Sequence, residues 1–334
     1  MKHQTDSNAL LLGAVAGAAT VGATCMWAYQ KWTKNKQENS FNIPSQLLNS
    51  PYKEQFQLAV KVAILAGNNI ALYGNAKGTQ AEASNDDLGI ETKASAADFC
   101  TKIDVLNEEI VTAAIQTTFP DHAIIGEEST GTGTIPPLTD KPTWIIDPID
   151  GTTNFASGLP LACVSIAFCV NKRPVMGCVF APMTNELYLA AKGFGAYRNG
   201  VRITQRQHVD LQQAVVAFEF GYPRNKQAVD NMVAAVAQFM ERGCRATRQI
   251  GSGVLDLCWV ATGRFSLIYS GIAGEGWKPW DYAAGLVIAQ EAGCAMENFQ
   301  PNNSDGVFDL YGDSIICAIS KELLEECRQI VTKI

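Results

Sequence analysis

Residues 51–73, PYKEQFQLAVKVAILAGNNIALY, put Phe56, Ala59, Val60, Ala63, Ile64 and Gly67 on one stripe. That spacing predicts an amphipathic helix, with Pro51 in its first turn. The stretch TKIDVLNEEIVTAAIQTTF (101–119) predicts a second helix. Between them, residues 74–92 are polar and contain glycine, which reads as a surface loop. This loop is only superficially like a phosphate-binding P-loop, because its lysine precedes the second glycine and no GK[ST] follows.

The pattern then changes to short apolar runs. HAIIGEES and PTWIIDPID each end on a pair of acids, and LACVSIAFCV, PVMGCVFAP and ELYLAAK are separated by the turn signals NKR and APMTN. The last three read as an antiparallel meander, with a further tight turn at Asn199-Gly200. Beyond residue 200, strand-like AVVAFEF (214–220), RFSLIYS and DSIICAIS alternate with helix-like AVDNMVAAVAQFMERG (228–243), GVLDLCWVATG (253–263), WDYAAGLVIAQEAG and KELLEECRQIVTKI. No internal repeat is present. The sum is a mixed α/β body, 51–334, with sheets covered by helices and two subdomains, about 51–200 and 201–334.

Residues 1–50 stand apart. No charged residue occurs from Ser7 to Gln30, and the apolar segment 9–29 is about the length that spans a bilayer. It ends in Trp27 and Tyr29, before Lys31, Lys34 and Lys36, which is the order of an aromatic belt and a cytosolic flank. The expectation is a membrane anchor with the catalytic body facing the cytosol, joined by the polar linker KNKQENSFNIPSQ. Because Ala and Gly are weakly hydrophobic, two other readings stay open. One is a cleaved targeting sequence that leaves a soluble cytoplasmic or organellar protein, and the other is a loose tail.

Composition narrows the chemistry. The 334 residues are 47% hydrophobic and 18% charged, an ordinary globular balance. A net charge of −7 argues against a nucleic-acid partner. It also fits an anionic substrate poorly unless cations mediate. The ten cysteines are scattered singly, with no CxxC pair and no histidine at ligand spacing, so a zinc site is not expected. Such usage suits a reducing compartment. His3, His122 and His208 are the only histidines, and the last two read as surface-loop residues, which leaves no phosphohistidine route.

Acids gather where apolar runs end: Glu127-Glu128 after IIG, Asp147 and Asp150 after WII, and Asp281 after KPW. Each has a plain explanation alone. Glu127-Glu128 reads as a solvated turn, Asp281 as a helix N-cap and DPID as a proline turn. Together they suggest oxygen ligands for a hard divalent cation such as Mg²⁺, with Pro148 stiffening the backbone between two of them. GTTNF follows at once and offers backbone N–H groups and the Thr152 and Thr153 hydroxyls to an anion.

GEES (126–129), WIIDPIDGTTNF (144–155) and WDYAAG (280–285), with VSIAF, KGFGAYRNG and EAG, together resemble the inositol monophosphatase family, the Mg²⁺-dependent, lithium-sensitive phosphatases. The likeness runs from about residue 52 to the C-terminus. It implies a layered α-β-α-β-α sandwich of the inositol monophosphatase / fructose-1,6-bisphosphatase type and a homodimer. It also implies two to three Mg²⁺ ions and hydrolysis of inositol monophosphate by metal-activated water, with no protein nucleophile. Carried onto this chain, Glu127, Asp147 and the Ile149 carbonyl hold the first metal, and Asp147, Asp150 and Asp281 the second. Glu127 and Thr152 position the water, with Asp104, which alone reads as a helix N-cap, and Lys93 in support. Gly151, Thr152, Thr153, Ser252, Gly253, Glu275 and Asp281 form the substrate-binding set.

Two stretches depart from the family pattern. SGIAGEGWKPWD is slightly long, and Glu275 is its only acidic candidate for contacting substrate hydroxyls; alone it reads equally well as a solvated loop carboxylate. The loop 74–92 is also long and, lying beside Lys93, suits a lid. Histidinol phosphate, sugar phosphates and nucleotide 3′-phosphates are the alternative substrates within the fold. A catalytically silent, membrane-tethered binding protein is the alternative outside it, disfavoured because none of the four metal carboxylates is missing.

Overall fold

Two helices, α1 (Ser45–Leu48) and α2 (Lys53–Gly74), open the folded body. This computed structural model describes residues 41–334 apart from 75–76, 78–87, 96–97, 205, 275–276 and 301–306. The apolar segment 9–29, Glu275 and most of the expected lid loop lie outside the described residues. Helix α2 starts later than its sequence pattern suggests. The Tyr52 carbonyl takes its first hydrogen bond, from Phe56 N–H at 2.9 Å, and Pro51 sits in the preceding turn. The Ser50 hydroxyl closes that turn by donating to the Leu47 carbonyl at 2.6 Å and accepting Tyr52 N–H at 3.2 Å.

A two-stranded ribbon, β1 (Glu91–Ser95) and β2 (Asp98–Cys100), carries Lys93 and leads into α3 (Lys102–Thr118). The cap of α3 is Thr101, whose hydroxyl accepts Ile103 N–H at 3.2 Å. Asp104 is therefore not the N-cap expected from the sequence. It is the third helical residue of a capping box, with Oδ2 accepting the Thr101 N–H at 2.8 Å.

Seven strands follow in consecutive order: β3 (Ala123–Gly126), β4 (Thr143–Asp150), β5 (Cys163–Val170), β6 (Arg173–Ala181), β7 (Glu186–Ala191), β8 (Gly195–Arg198) and β9 (Val201–Arg202). Only β3 and β4 are parallel; β4 through β9 form the antiparallel meander. Asn199 and Gly200 both take positive φ, 50° and 79°, as the tight turn between β8 and β9 requires. The short helices α4 (Glu127–Thr130) and α5 (Thr152–Ser157) extend directly from the ends of β3 and β4.

The run WII is apolar without alternation because both faces of this sheet are covered. Trp144 and Ile146 join the core beneath α2 and α3, while Ile145 joins the opposite core. His122, expected on a surface loop, belongs to this packing. Its ring stacks on Phe119 at 4.7 Å, and Nδ1 accepts the Trp144 indole N–H at 3.0 Å. Burial lowers its pKa from the usual imidazole value.

The second half supplies α6 (Lys226–Glu241), α7 (Gly253–Ala261), α8 (Pro279–Glu291) and α9 (Lys321–Val331). It also supplies a five-stranded sheet of β10 (Val215–Phe218), β11 (Ala246–Arg248), β12 (Leu267–Ser270), β13 (Ala295–Glu297) and β14 (Ile315–Ala318), ordered β11-β10-β12-β14-β13. Helix α8 packs across β4 to β8 on the face opposite α2 and α3, and α7 joins it to β12 and β14. Helices α6 and α9 cover the far side of the smaller sheet. The order is helices, sheet, helices, sheet, helices: a mixed α/β, five-layer sandwich. Gly177 permits the close approach of α8, since a Cβ there would lie 2.5 Å from the Ala284 carbonyl oxygen.

Candidate active site

Asp147 and Asp150 both belong to β4, inside the sheet rather than beyond its end. Three positions apart on a regular strand, they would face opposite sides. The pairing with β5 corrects this. Asp147 stands opposite Ser165 and Asp150 opposite Cys163, so three steps on β4 match two on β5. That is a bulge at Pro148-Ile149, where the missing proline N–H costs the ladder nothing, and it turns both carboxylates to one side.

Asp281 reaches the same place from the first turn of α8. It is the third helical residue, not the N-cap expected from the sequence, and its Oδ2 accepts the Lys278 N–H at 2.6 Å. Carboxylate oxygens of Asp147, Asp150 and Asp281 lie within 4.8 Å of one another. Asp147 is 1% exposed and Asp150 7%.

Each acid has hydrogen-bond donors. Asp147 Oδ1 accepts Ile149 N–H at 3.0 Å. Asp150 Oδ2 takes the Ser252 hydroxyl, Val254 N–H at 2.9 Å and the Cys163 thiol at 3.6 Å. These bonds do not offset burial and mutual repulsion. Burial first, then the charges of Glu127, Asp150 and Asp281, drive Asp147 well above the usual carboxylate range. Burial likewise raises Asp281, and lifts Asp150 to about 6 despite its donors. A trio of oxygen donors that repel one another fits a hard divalent cation, whose charge removes the repulsion.

Glu127 and Glu128 begin α4 and are not the solvated turn that the pair suggests in isolation. Lys93 reaches from β1 to Glu127 Oε1 at 2.7 Å and Glu128 Oε1 at 2.9 Å. Burial opposes the Lys93 charge, yet the two carboxylates outweigh it and hold the ammonium protonated. Behind them, Glu108 accepts the N–H groups of Glu128 and Ser129, each at 2.7 Å, and so fixes the turn from β3 into α4.

Thr152 opens α5 after Gly151, which takes φ 93°. A side chain on Gly151 would also meet the Leu161 carbonyl at 2.7 Å. The Thr152 hydroxyl lies 3.1 Å from Asp104 Oδ1 and 3.0 Å from the Ile149 carbonyl. Burial raises Asp104 to about 6, against the pull of its Thr101 and Thr152 hydrogen bonds. A cleft of about 570 Å³ opens over these groups, and Glu127, Asp150, Thr152, Thr153, Asp281, Ser252, Gly253 and Trp277 are among the residues that line it.

Three supporting residues are absent from the sequence-derived set. Asn154 Nδ2 donates to the carbonyls of Ile250 at 2.6 Å and Leu161 at 2.8 Å. Glu219 Oε1 accepts N–H from Ile250 at 3.0 Å and Gly251 at 2.7 Å. Asp256, fully buried one turn into α7, feels the Glu219 charge, and neither of its carboxylate oxygens has a hydrogen-bond partner among the described residues. Asn154 and Glu219 thus clamp the turn that presents Ser252 and Val254 to Asp150. The available signal was a lone acid in each of two apolar runs, AFEF and VLDLC.

Residues 53–334 match the profile described as the inositol monophosphatase family. Inositol monophosphatase 1 of Bos taurus is 34% identical over 256 residues, covering 77% of this chain and 90% of that one. The Nus factor SuhB of Vibrio cholerae is 39% identical over 243 residues, covering 72% and 84%. Among solved structures, the Thermotoga maritima IMPase superposes with a TM-score of 0.69 at 28% identity, covering 84% of this chain and 97% of that one. The suhB protein of Bartonella henselae gives 0.70 at 25% identity, covering 84% and 99%. A layered sandwich with buried carboxylates that could hold a metal ion, together with these matches, places the chain in the sandwich class of phosphatases. The chain belongs to the inositol monophosphatase family.

Proposed function

We propose that this protein is a Mg²⁺-dependent phosphomonoesterase that hydrolyses inositol monophosphate to inositol and phosphate. The observation that carries the reading is the trio Asp147, Asp150 and Asp281, oxygen donors within 4.8 Å of one another in a buried, mutually repelling cluster. In this reading Glu127, Asp147 and the Ile149 carbonyl hold one Mg²⁺, and Asp147, Asp150 and Asp281 a second. Glu127 also helps a third, loosely held ion.

The cations, when bound, supply Lewis acidity and positive charge opposite the phosphoryl oxygens. The chain's own groups position the reaction. The Thr152 proton is directed at Asp104 or the Ile149 carbonyl, so the hydroxyl turns a lone pair to the cleft and accepts a hydrogen bond from the attacking water. Glu127, oriented by Lys93, holds that water from the other side. The N–H groups of Gly151 and Thr152, with the Thr153 hydroxyl, hold the phosphate. Water oxygen bonds to phosphorus and releases a proton to solvent, the ester P–O bond breaks, and the leaving alkoxide takes up a proton from solvent. Ser252 and Gly253 border the departing ring.

The test is phosphate release from a panel of monoesters, with Mg²⁺ and with chelator. The panel holds inositol, histidinol and sugar monophosphates and a nucleotide 3′-phosphate. Mg²⁺-dependent turnover led by inositol monophosphate supports the reading; no turnover of any ester supports a silent binding protein instead. Membrane anchoring through 9–29 and homodimer assembly belong to the same proposal. Deleting residues 1–40 should move the protein from membrane to soluble fractions, and the purified body should sediment as a dimer.

A further inference from the structure

Gly253, the first residue of α7, has no conformational need to be glycine, because its φ lies outside the left-handed region. Space explains it. A Cβ there would meet the Trp277 indole at 2.6 Å (Cη2), 2.8 Å (Cζ2) and 3.1 Å (Cζ3). The indole therefore lies directly on the α7 backbone, and both residues line the cleft that holds Asp150, Thr152 and Asp281.

Trp277 is fixed from two directions. It immediately precedes Lys278, the cap of α8, and its ring centroid is 5.2 Å from that of Tyr282, four residues into the helix. That is a hydrophobic staple across the capping box of Asp281. Tyr282 is anchored in turn by its hydroxyl, which donates to the Gly312 carbonyl at 3.0 Å. The indole thus lies between the starts of two helices that meet the acid cluster: Ser252, the cap of α7, bonds Asp150 of β4, and Asp281 opens α8. A plain staple would have no reason to exclude a methyl group from Gly253 or to face the cleft.

Resting on the phosphatase reading above, we propose that Trp277 is a specificity-determining residue. Its indole, seated on Gly253, is the apolar plate against which the leaving group packs. It selects cyclic polyol monophosphates, whose rings offer a C–H face, over acyclic alkyl phosphates. Small-molecule sites commonly pair such an aromatic wall with a few polar groups. Discrimination follows from buried apolar contact, which is worth about 10- to 200-fold in such pockets.

The experiment compares kcat and KM for myo-inositol 1-phosphate and glycerol 2-phosphate, at saturating Mg²⁺, in wild type, Trp277→Ala and Trp277→Phe. Trp277→Ala should lower kcat/KM for the ring ester by about 10- to 50-fold, chiefly through KM, and for the acyclic ester by about 3-fold at most. Trp277→Phe should recover most of the ring preference. Equal losses on both esters, or an unchanged ring ester, would overturn the proposal. Gly253→Ala, whose methyl must displace the indole, is the second route if Trp277→Ala does not fold, and should lower the ratio of kcat/KM for the ring ester to that for the acyclic ester with Trp277 present. A wild type inactive on both esters removes the phosphatase reading. The inference then rests on calorimetric binding of the ring ester. A Kd raised about tenfold or more by Trp277→Ala keeps it, and an unchanged Kd or no binding removes it.

Discussion

The Thr152 hydroxyl lies 3.1 Å from Oδ1 of Asp104, a residue 48 positions upstream whose other oxygen caps its own helix. One carboxylate thus fixes the start of α3 and, with the Ile149 carbonyl, offers an acceptor to a hydroxyl in the cleft. Thr152→Ala should lower kcat about 100- to 1,000-fold, with KM little changed, because the water loses its acceptor. Thr152→Ser keeps the hydroxyl and should recover to within about tenfold. Steady-state phosphate release checks both, and equal kcat for Ala and Ser would remove the hydroxyl's role.

Asn154 ties α5 to the 250–252 turn through the Ile250 and Leu161 carbonyls. Asn154→Ala leaves buried carbonyls without a donor and should destabilise the fold by about 2–4 kcal/mol. A urea melt reads this as a lower midpoint at unchanged slope.

The contact of Gly177 with α8 makes a steric prediction. Gly177→Ala places a methyl 2.5 Å from the Ala284 carbonyl and must push helix from sheet. The expected cost is about 1–3 kcal/mol by thermal or urea unfolding, and a neutral effect would show that the layers slide freely.

Asp256 predicts a pH dependence of stability. Burial first, then Glu219, raises its carboxyl well above the ordinary value. The folded state therefore binds more protons than the unfolded chain, and stability falls as pH rises from the unfolded pKa, about 3.9, through the raised folded one. Asp256→Asn keeps the shape of the side chain but has no proton to lose. Its ΔG-against-pH curve should be flatter by up to about 1.4 kcal/mol per pH unit in that window. Parallel curves for the two proteins would contradict the assignment.

What the sequence made legible was chemistry packed into short motifs. WIIDPIDGTTNF carries two of the three clustered acids, the proline of the bulge and Thr152 within one run. The meander was legible too, because each apolar strand ends in turn residues. Less legible was anything set by distant contacts. Pairing with Ser165 and Cys163, not the local spacing, turns Asp147 and Asp150 to one side. Glu219 and Asn154 act on a turn 31 and 96 residues away, beyond the reach of local periodicity. Asp104 and Asp281 were misplaced by three positions at their helix starts, since an acid at the third helical residue and one at the cap look alike until the partner N–H is known. For Asp104 the clue was present in Thr101, three residues earlier.

The central claim is that Asp147, Asp150 and Asp281 bind divalent cations together. Calorimetric titration of Mg²⁺ into wild type and Asp147→Asn, in matched buffer, tests it most directly. The account predicts saturable binding to wild type and a loss of about 100-fold or more in affinity for the variant, which removes a charged ligand while keeping its shape. Equal Mg²⁺ affinity in the two proteins would contradict it.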